Sequence, residues 1–192
     1  MRIAKDNKQL FVLSILKSPE EEYNANSLAK LIGISSMGAL KIGKSLVKEN
    51  ILSSRIIGRA SIYKININSY SKQYIRFILK REVEQAPPYV KMWARELEKV
   101  KSAEAIVLFG SVLKKEKEAG DIDALILVSN SKFSNVKKEI ENINSLNNKK
   151  VHPVYQTKED LVSNLKKKDK VVLNAIKGLF IFGEDVLLEV LE

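Results

Sequence analysis

The chain has no cysteine, which excludes disulfides and thiolate-bound zinc. A single histidine in 192 residues leaves neither a histidine metal cluster nor a Ser-His triad. No apolar run reaches the ~18 residues that a membrane-spanning helix requires, so no membrane partner is expected. The opening residues, Met1 to Asp6, run into a helical pattern rather than into the apolar core and cleavage site of a secretory leader. A cytoplasmic location is the corresponding expectation. Proline is also scarce, with four residues in all, so the adjacent pair Pro87-Pro88 marks a break in the chain.

Positive charge, by contrast, is abundant and uneven. The net charge is +10, and residues 1–80 hold 14 Lys+Arg against 5 Asp+Glu. Residues 81–192 hold the remaining 19 against 18. A general bias toward lysine would have spread the excess evenly. Its concentration in the first two fifths predicts a polyanion-binding module joined to a near-neutral one.

Residues 6–17 carry an apolar face with Asp6 as a cap, and Ser18-Pro19 ends the helix, because the residue before proline avoids helical angles. Asn26-Ser27 is expected to cap a short second helix, Leu28 to Leu31, which Gly33 stops. Ser35-Ser36 opens a third helix that runs to about Asn50. On it Ala39, Leu40, Gly43, Leu46 and Val47 share the core face, while Met37, Lys41, Lys44 and Lys48 form the opposite stripe. Residues 51–67 then read as a hairpin whose tip, Gly58-Arg59-Ala60-Ser61, is basic.

Three helices followed by a basic hairpin, over residues 6–68, resemble the winged helix-turn-helix regulators of prokaryotes. The resemblance implies double-stranded DNA as a partner. Ser36, Met37, Lys41, Lys44 and Lys48 on the third helix and Arg55 and Arg59 on the wing would meet it, with Ser45 as a further groove contact. Such cationic stripes position a duplex by its phosphates without reading its sequence. Tyr70, Tyr74, Phe77 and Ile78 continue at helical spacing on a linking helix over residues 69–85. The stripe Tyr74, Phe77 and Ile78 either packs between the domains or forms a homodimer contact. The expected domains are 1–68, a linking segment 69–88, and 89–192.

In the last of these, two apolar, β-branched runs bracket a charged connection. The first ends Ile106-Val107-Leu108-Phe109-Gly110-Ser111, and the second begins Gly120-Asp121-Ile122-Asp123-Ala124. Residues two apart on a strand point the same way, so both carboxylates share a face. Two carboxylates beside a Gly-Ser turn suit a divalent cation that holds a triphosphate. Gly-Ser, a nine-residue gap and Asp-x-Asp resemble the nucleotidyltransferase fold of the DNA polymerase β type, in its small prokaryotic form, over roughly residues 89–185. Lys115 and Leu113 stand where that family commonly has Gly and Ala, and Glu116 where it often has an acid. The resemblance implies a mixed sheet flanked by helices, Mg²⁺ held by Asp121 and Asp123, and an NTP such as ATP held by Gly110 and Ser111. The fold class expected for the whole chain is α+β.

The third strand, ending near Gln156, departs from that family. Its enzymes usually place a third acid there, yet no Asp or Glu lies between Glu141 and Glu159. By position the substitute is His152 or Tyr155. A neutral imidazole is able to act as a general base, but a histidine beside Pro153 is equally an ordinary strand residue. Two functions therefore stay open: transfer of a nucleotide monophosphate to an acceptor hydroxyl, with the same two acids as catalytic residues, or a DNA-binding regulator that only binds nucleotide.

Overall fold

The structure is a computed structural model and describes residues 6–191. The expectation about a leader at Met1 to Lys5 lies outside the described residues. The chain forms two compact units that divide between Ile78 and Leu79, and each is described by itself.

In the first unit, helix α1 (Asn7–Leu16) starts on Asp6, whose carboxylate accepts the backbone N–H of Lys8 at 3.0 Å. A two-residue strand, β1 (Tyr23–Asn24), follows; so short an element leaves no periodicity to read. Helix α2 (Ala25–Ile32) begins earlier than its sequence suggested. The cap is Asn24, which accepts the N–H of Ser27 at 2.9 Å, while Ser27 Oγ accepts the N–H of Asn24 at 3.0 Å. This reciprocal pair satisfies two backbone donors at once and outcompetes Asn26 as a start. Gly33, at φ +75°, closes the helix. Helix α3 (Ser36–Lys48) is capped by Ser35, which accepts the N–H of Gly38 at 3.0 Å.

Strands β2 (Leu52–Ile57) and β3 (Ala60–Ile65) then pair antiparallel, with Gly58 and Arg59 at the tip. β1 adds on the far side of β3, which gives the order β1-β3-β2. Phe11, Leu16, Leu28, Leu46, Ile51 and Leu52 fill the core. Helix, short strand, two helices and a hairpin make a winged helix-turn-helix. Helix α4 (Ser69–Gln85) follows, opened by Asn68 and Ser71, which cap each other's backbone N–H.

The second unit continues with α5 (Pro88–Leu97), where Pro88 occupies the first turn. The proline pair thus starts a helix as well as interrupting the chain, since its missing N–H is an orphan there in any case. Strand β4 (Ala105–Phe109) is buried throughout. The connection after it is helical rather than an open charged loop: α6 (Val112–Lys115) and a 3₁₀ turn over Glu116–Glu118. Val112 and Ala119 within this stretch are buried and anchor it.

Next come β5 (Ile122–Leu127), α7 (Phe133–Leu146), β6 (Val151–Gln156), α8 (Lys158–Lys166), α9 (Lys170–Ile176), β7 (Leu179–Phe182) and α10 (Glu184–Leu191). The sheet order is β6-β5-β4-β7. β4 runs antiparallel to β5 and β7, whereas β5 and β6 are parallel. The sheet is therefore mixed, and the chain as a whole is α+β. Trp93 and Leu97 from α5 and Val136, Ile140 and Ile143 from α7 pack with the strand side chains in one core. Burial of this kind is worth roughly 1.5–3 kcal/mol per large apolar side chain, and it holds the ends of β4, β5 and β6 in fixed register. No helix among the described residues is long and apolar enough to cross a membrane.

Candidate functional site

The strand ends determine what meets in the second unit. Phe109, the last residue of β4, pairs with Asp123 near the start of β5. Gly110 then turns the chain at φ +80°, and Ser111 stands at the head of α6 with its hydroxyl making no cap bond. Asp121 lies just before β5 and Asp123 within it, on the same face. The parallel register of β5 and β6 sets His152 opposite Asp123. Of the two residues that the sequence offers in place of a third acid, the register thus brings His152 beside the aspartates. Tyr155 pairs instead with Ile126, and its ring meets Phe133 edge-on at 5.0 Å.

Asp121, Asp123 and His152 each offer one donor atom, and the three lie within 4.8 Å of one another. Nδ1 of His152 is 3.1 Å from Oδ2 of Asp121. Both carboxylates are half-buried and the imidazole is exposed. Burial pushes the Asp123 carboxyl above its ordinary range, and the neighbouring Asp121 charge adds to this, while His152 pulls the other way. Two crowded carboxylates beside an exposed imidazole form a site that a cation relieves. The donor set fits a divalent ion: two hard oxygens and one nitrogen converge from two adjacent strands.

Gly110 has a role beyond a close approach to phosphate. A Cβ built on it would overlap the Asp123 carboxylate, with Cγ at 2.9 Å. Nothing in the local sequence signals this contact, because it joins two strand ends across the sheet. The His152–Asp123 pairing was likewise hidden, since a parallel register has no turn to fix it in the sequence.

In the first unit, Lys41, Lys44 and Lys48 are exposed along one side of α3, with Ser36 and Met37 exposed at its start. None of the three lysines, nor Arg59 at the wing tip, has a carboxylate partner among the described residues. Arg55 does have one: it forms an ion pair with Glu22. Ser45 is not free for a groove contact, because its hydroxyl donates to Glu49 at 2.7 Å. Glu49 also binds Lys8 at 2.5 Å, and these two donors hold its carboxyl below the usual range. A cavity of about 280 Å³ lies between α3 and the wing, lined in part by Ser36, Met37, Leu40, Arg59 and Ser61.

Residues 90–178 match the family model of the nucleotidyltransferase domain. The match lies wholly within the second unit. The match encloses the Gly110-Ser111 turn, Asp121, Asp123 and His152, and domains of this family typically work with Mg²⁺ and an NTP. No curated protein matches the chain. Solved structures that resemble it include two of the adhesin competence repressor (AdcR) from Streptococcus pyogenes. Both are 18% identical and cover 50% of this chain, with TM-scores of 0.36 and 0.37 over 66% and 65% of their own length. RV1404 from Mycobacterium tuberculosis is 21% identical over 42% of this chain and 60% of its own, with a TM-score of 0.30. The chain thus spans just under two thirds of the first two structures and less of the third.

Proposed function

We propose that this chain is a DNA-binding protein whose nucleotidyltransferase domain transfers a nucleotide monophosphate from an NTP to an acceptor hydroxyl. One observation carries the catalytic half: Asp121 and Asp123 converge beside the Gly110-Ser111 turn, at the ends of two buried strands, within the matched domain. Asp121 and Asp123 would hold Mg²⁺, which when bound supplies charge neutralisation for the triphosphate and the attacking oxygen. The Gly110-Ser111 turn would seat the phosphates, where the unengaged Ser111 hydroxyl is available as a donor. Asp123 is held in β5 and Asp121 at the residue that enters it, so the two carboxylates keep their spacing with little reorganisation, which is what transfer in line requires of them.

The DNA half is supported by the unpaired lysine stripe of α3 and by Arg59 at the wing tip. We assign residues 1–68 to DNA binding, 69–88 to a linking segment and 89–192 to nucleotide chemistry. Double-stranded DNA and a nucleotide, ATP among the candidates, are the partners proposed, together with a homodimer for which Phe77 of the Tyr74, Phe77 and Ile78 stripe is exposed and Ile78 is buried. The placement of the protein in the cytoplasm belongs to the same proposal.

A second reading has its own observation. With His152 opposite Asp123 and no third acid there, the domain would bind nucleotide and report it to the DNA-binding unit without transferring it. Thermal melting with Mg²⁺ and a non-hydrolysable NTP, alongside incubation of labelled NTPs with cell extract, separates the two. Ligand stabilisation that vanishes in Asp121→Asn/Asp123→Asn, together with label on an acceptor, supports transfer. Stabilisation without label supports the sensor. No stabilisation of the wild type overturns both.

A further inference from the structure

We infer that His152 is a metal ligand, so that the site binds its ion through two carboxylates and one imidazole and favours Mn²⁺ over Mg²⁺. The inference rests on the metal-nucleotide reading of the same site and says which of these two ions its third donor favours. Around an octahedral ion with bonds of about 2.1 Å, neighbouring donors stand roughly 3 Å apart. Nδ1 of His152 and Oδ2 of Asp121 are 3.1 Å apart, the separation of two donors in adjacent coordination positions. Asp123 completes the cluster, all three donor atoms lying within 4.8 Å, which small side-chain rotations bring onto one ion.

The alternative, a histidine placed there to pair with Asp121, has little to recommend it energetically. The His152 side chain is 64% exposed and that of Asp121 40%, and ion pairs this open to water contribute little to stability. The strand register makes the ligand assignment specific. His152 sits on β6 opposite Asp123 of β5, in a parallel pair whose flanking residues, Ile122 and Val151, are buried. The imidazole is therefore carried by a fixed backbone and not by a mobile loop.

Donor chemistry then sets the selectivity. Mg²⁺ prefers oxygen, dehydrates reluctantly and keeps several waters, whereas Mn²⁺, though the weakest binder of the first-row transition ions and itself suited to oxygen, takes a mixed oxygen and nitrogen set more readily than Mg²⁺ does. Replacing a carboxylate by an imidazole at one corner also removes one negative charge, which weakens the hold on Mg²⁺ more than the hold on an ion that bonds to nitrogen. The site keeps the same two acids as an oxygen-only site, and its third corner discriminates.

The test uses the full chain and Mn²⁺ as the probe, observed by pulsed electron paramagnetic resonance. Directly bonded ¹⁴N from the imidazole modulates the echo; carboxylate and water do not. Wild type is expected to show the modulation, and His152→Asp is expected to bind Mn²⁺ without it. Competition with Mg²⁺, read on the same signal, is expected to show a Mn²⁺ preference that falls by roughly tenfold in His152→Asp, about the weight of one altered donor. His152→Gln, which keeps a polar side chain but no imidazole, is expected to lose the modulation as well. Mn²⁺ bound by wild type without ¹⁴N modulation, or an unchanged preference in His152→Asp, overturns the inference and leaves the nucleotide site standing. Absence of any bound Mn²⁺, with nucleotide present, overturns both together.

Discussion

Gly110 and Asp123 occupy one another's space. A Cβ on Gly110 would lie 2.9 Å from Cγ of Asp123 and would overlap its Oδ2, while the backbone at Gly110 holds φ +80°. The turn that ends β4 and the carboxylate on β5 are therefore compatible only with glycine at this position. Gly110→Ala is expected to cost about 1–3 kcal/mol from the backbone alone, with the collision added to it. At the wing tip, Gly58 has φ +59° and nothing within 4 Å, so Gly58→Ala should cost only about 1 kcal/mol. Denaturant melts of the two variants measure the difference. Placing Gly110→Ala in an Asp123→Ala background should recover the collision part. Equal losses in both backgrounds would show that the contact carries no energy.

Much of the fold was legible in the sequence because most elements are amphipathic and well punctuated. The lysine and apolar faces of α3 separate at helical spacing, and the alternation of buried runs with charged turns marks β4 and β5. What could not be read has a common cause, which is contact between residues far apart in the chain. Strand β1 exists because Tyr23 and Asn24 pair with Tyr63 and Ile62, and two residues have no pattern of their own. Arg55 looked like a free wing cation, yet Glu22 meets it from across the unit. At the site, the motif Asp-x-Asp is local and was visible. The meeting of Asp123 with His152 depends on a parallel register that a whole crossover helix intervenes to set.

Helix α3 contains a second constrained glycine. A Cβ on Gly43 would lie 2.5 Å from Cζ and 2.6 Å from the hydroxyl oxygen of Tyr63 on the wing. The ring cannot yield easily, being buried and packed edge-on against Phe11 at a centroid distance of 5.6 Å. In an unconstrained helix Gly→Ala would stabilise by about 1 kcal/mol, but overpacking a core contact typically costs about 1–3 kcal/mol. Gly43→Ala should therefore melt lower than wild type, and the sign should reverse in a Tyr63→Leu background. A higher melting temperature for the single variant would mean that the wing does not press on α3 as the structure has it.

The lysine stripe makes a prediction about salt. Each phosphate that a lysine no longer neutralises lowers the slope of log affinity against log salt by about 0.9, so Lys41→Ala/Lys44→Ala in the full chain should flatten it by about 2. The weakening should be similar for unrelated duplex sequences, because phosphate contacts do not read bases. Fluorescence anisotropy across a salt series measures both. Arg55→Ala should change the slope less than Arg59→Ala, since Glu22 already pairs with Arg55 in the free protein. Identical slopes for wild type and the double lysine variant would remove the stripe from the interface.

Asp123 ties stability to pH. Its carboxyl is pushed above the ordinary value of 3.8, first by burial and then by Asp121. The folded state therefore holds a proton that the unfolded chain has already released, and stability falls as pH rises from that value through the folded pKa. At neutral pH the ionised, partly buried Asp123 weighs against folding, and Asp123→Asn lifts that weight. Without metal, the variant should melt above wild type at pH 7, and the gap should close as the pH drops through the folded pKa toward 3.8. Addition of a divalent cation with nucleotide should reverse the order at neutral pH, because only the wild type retains the full donor set and ligand binding stabilises the form that binds. Melting curves from acid to neutral pH, with and without the ligands, follow both effects in one series. A variant that melts below wild type at pH 7 in the absence of metal would mean that Asp123 is held by its neighbours rather than crowded by them, and the case for a cation there would lose its electrostatic ground.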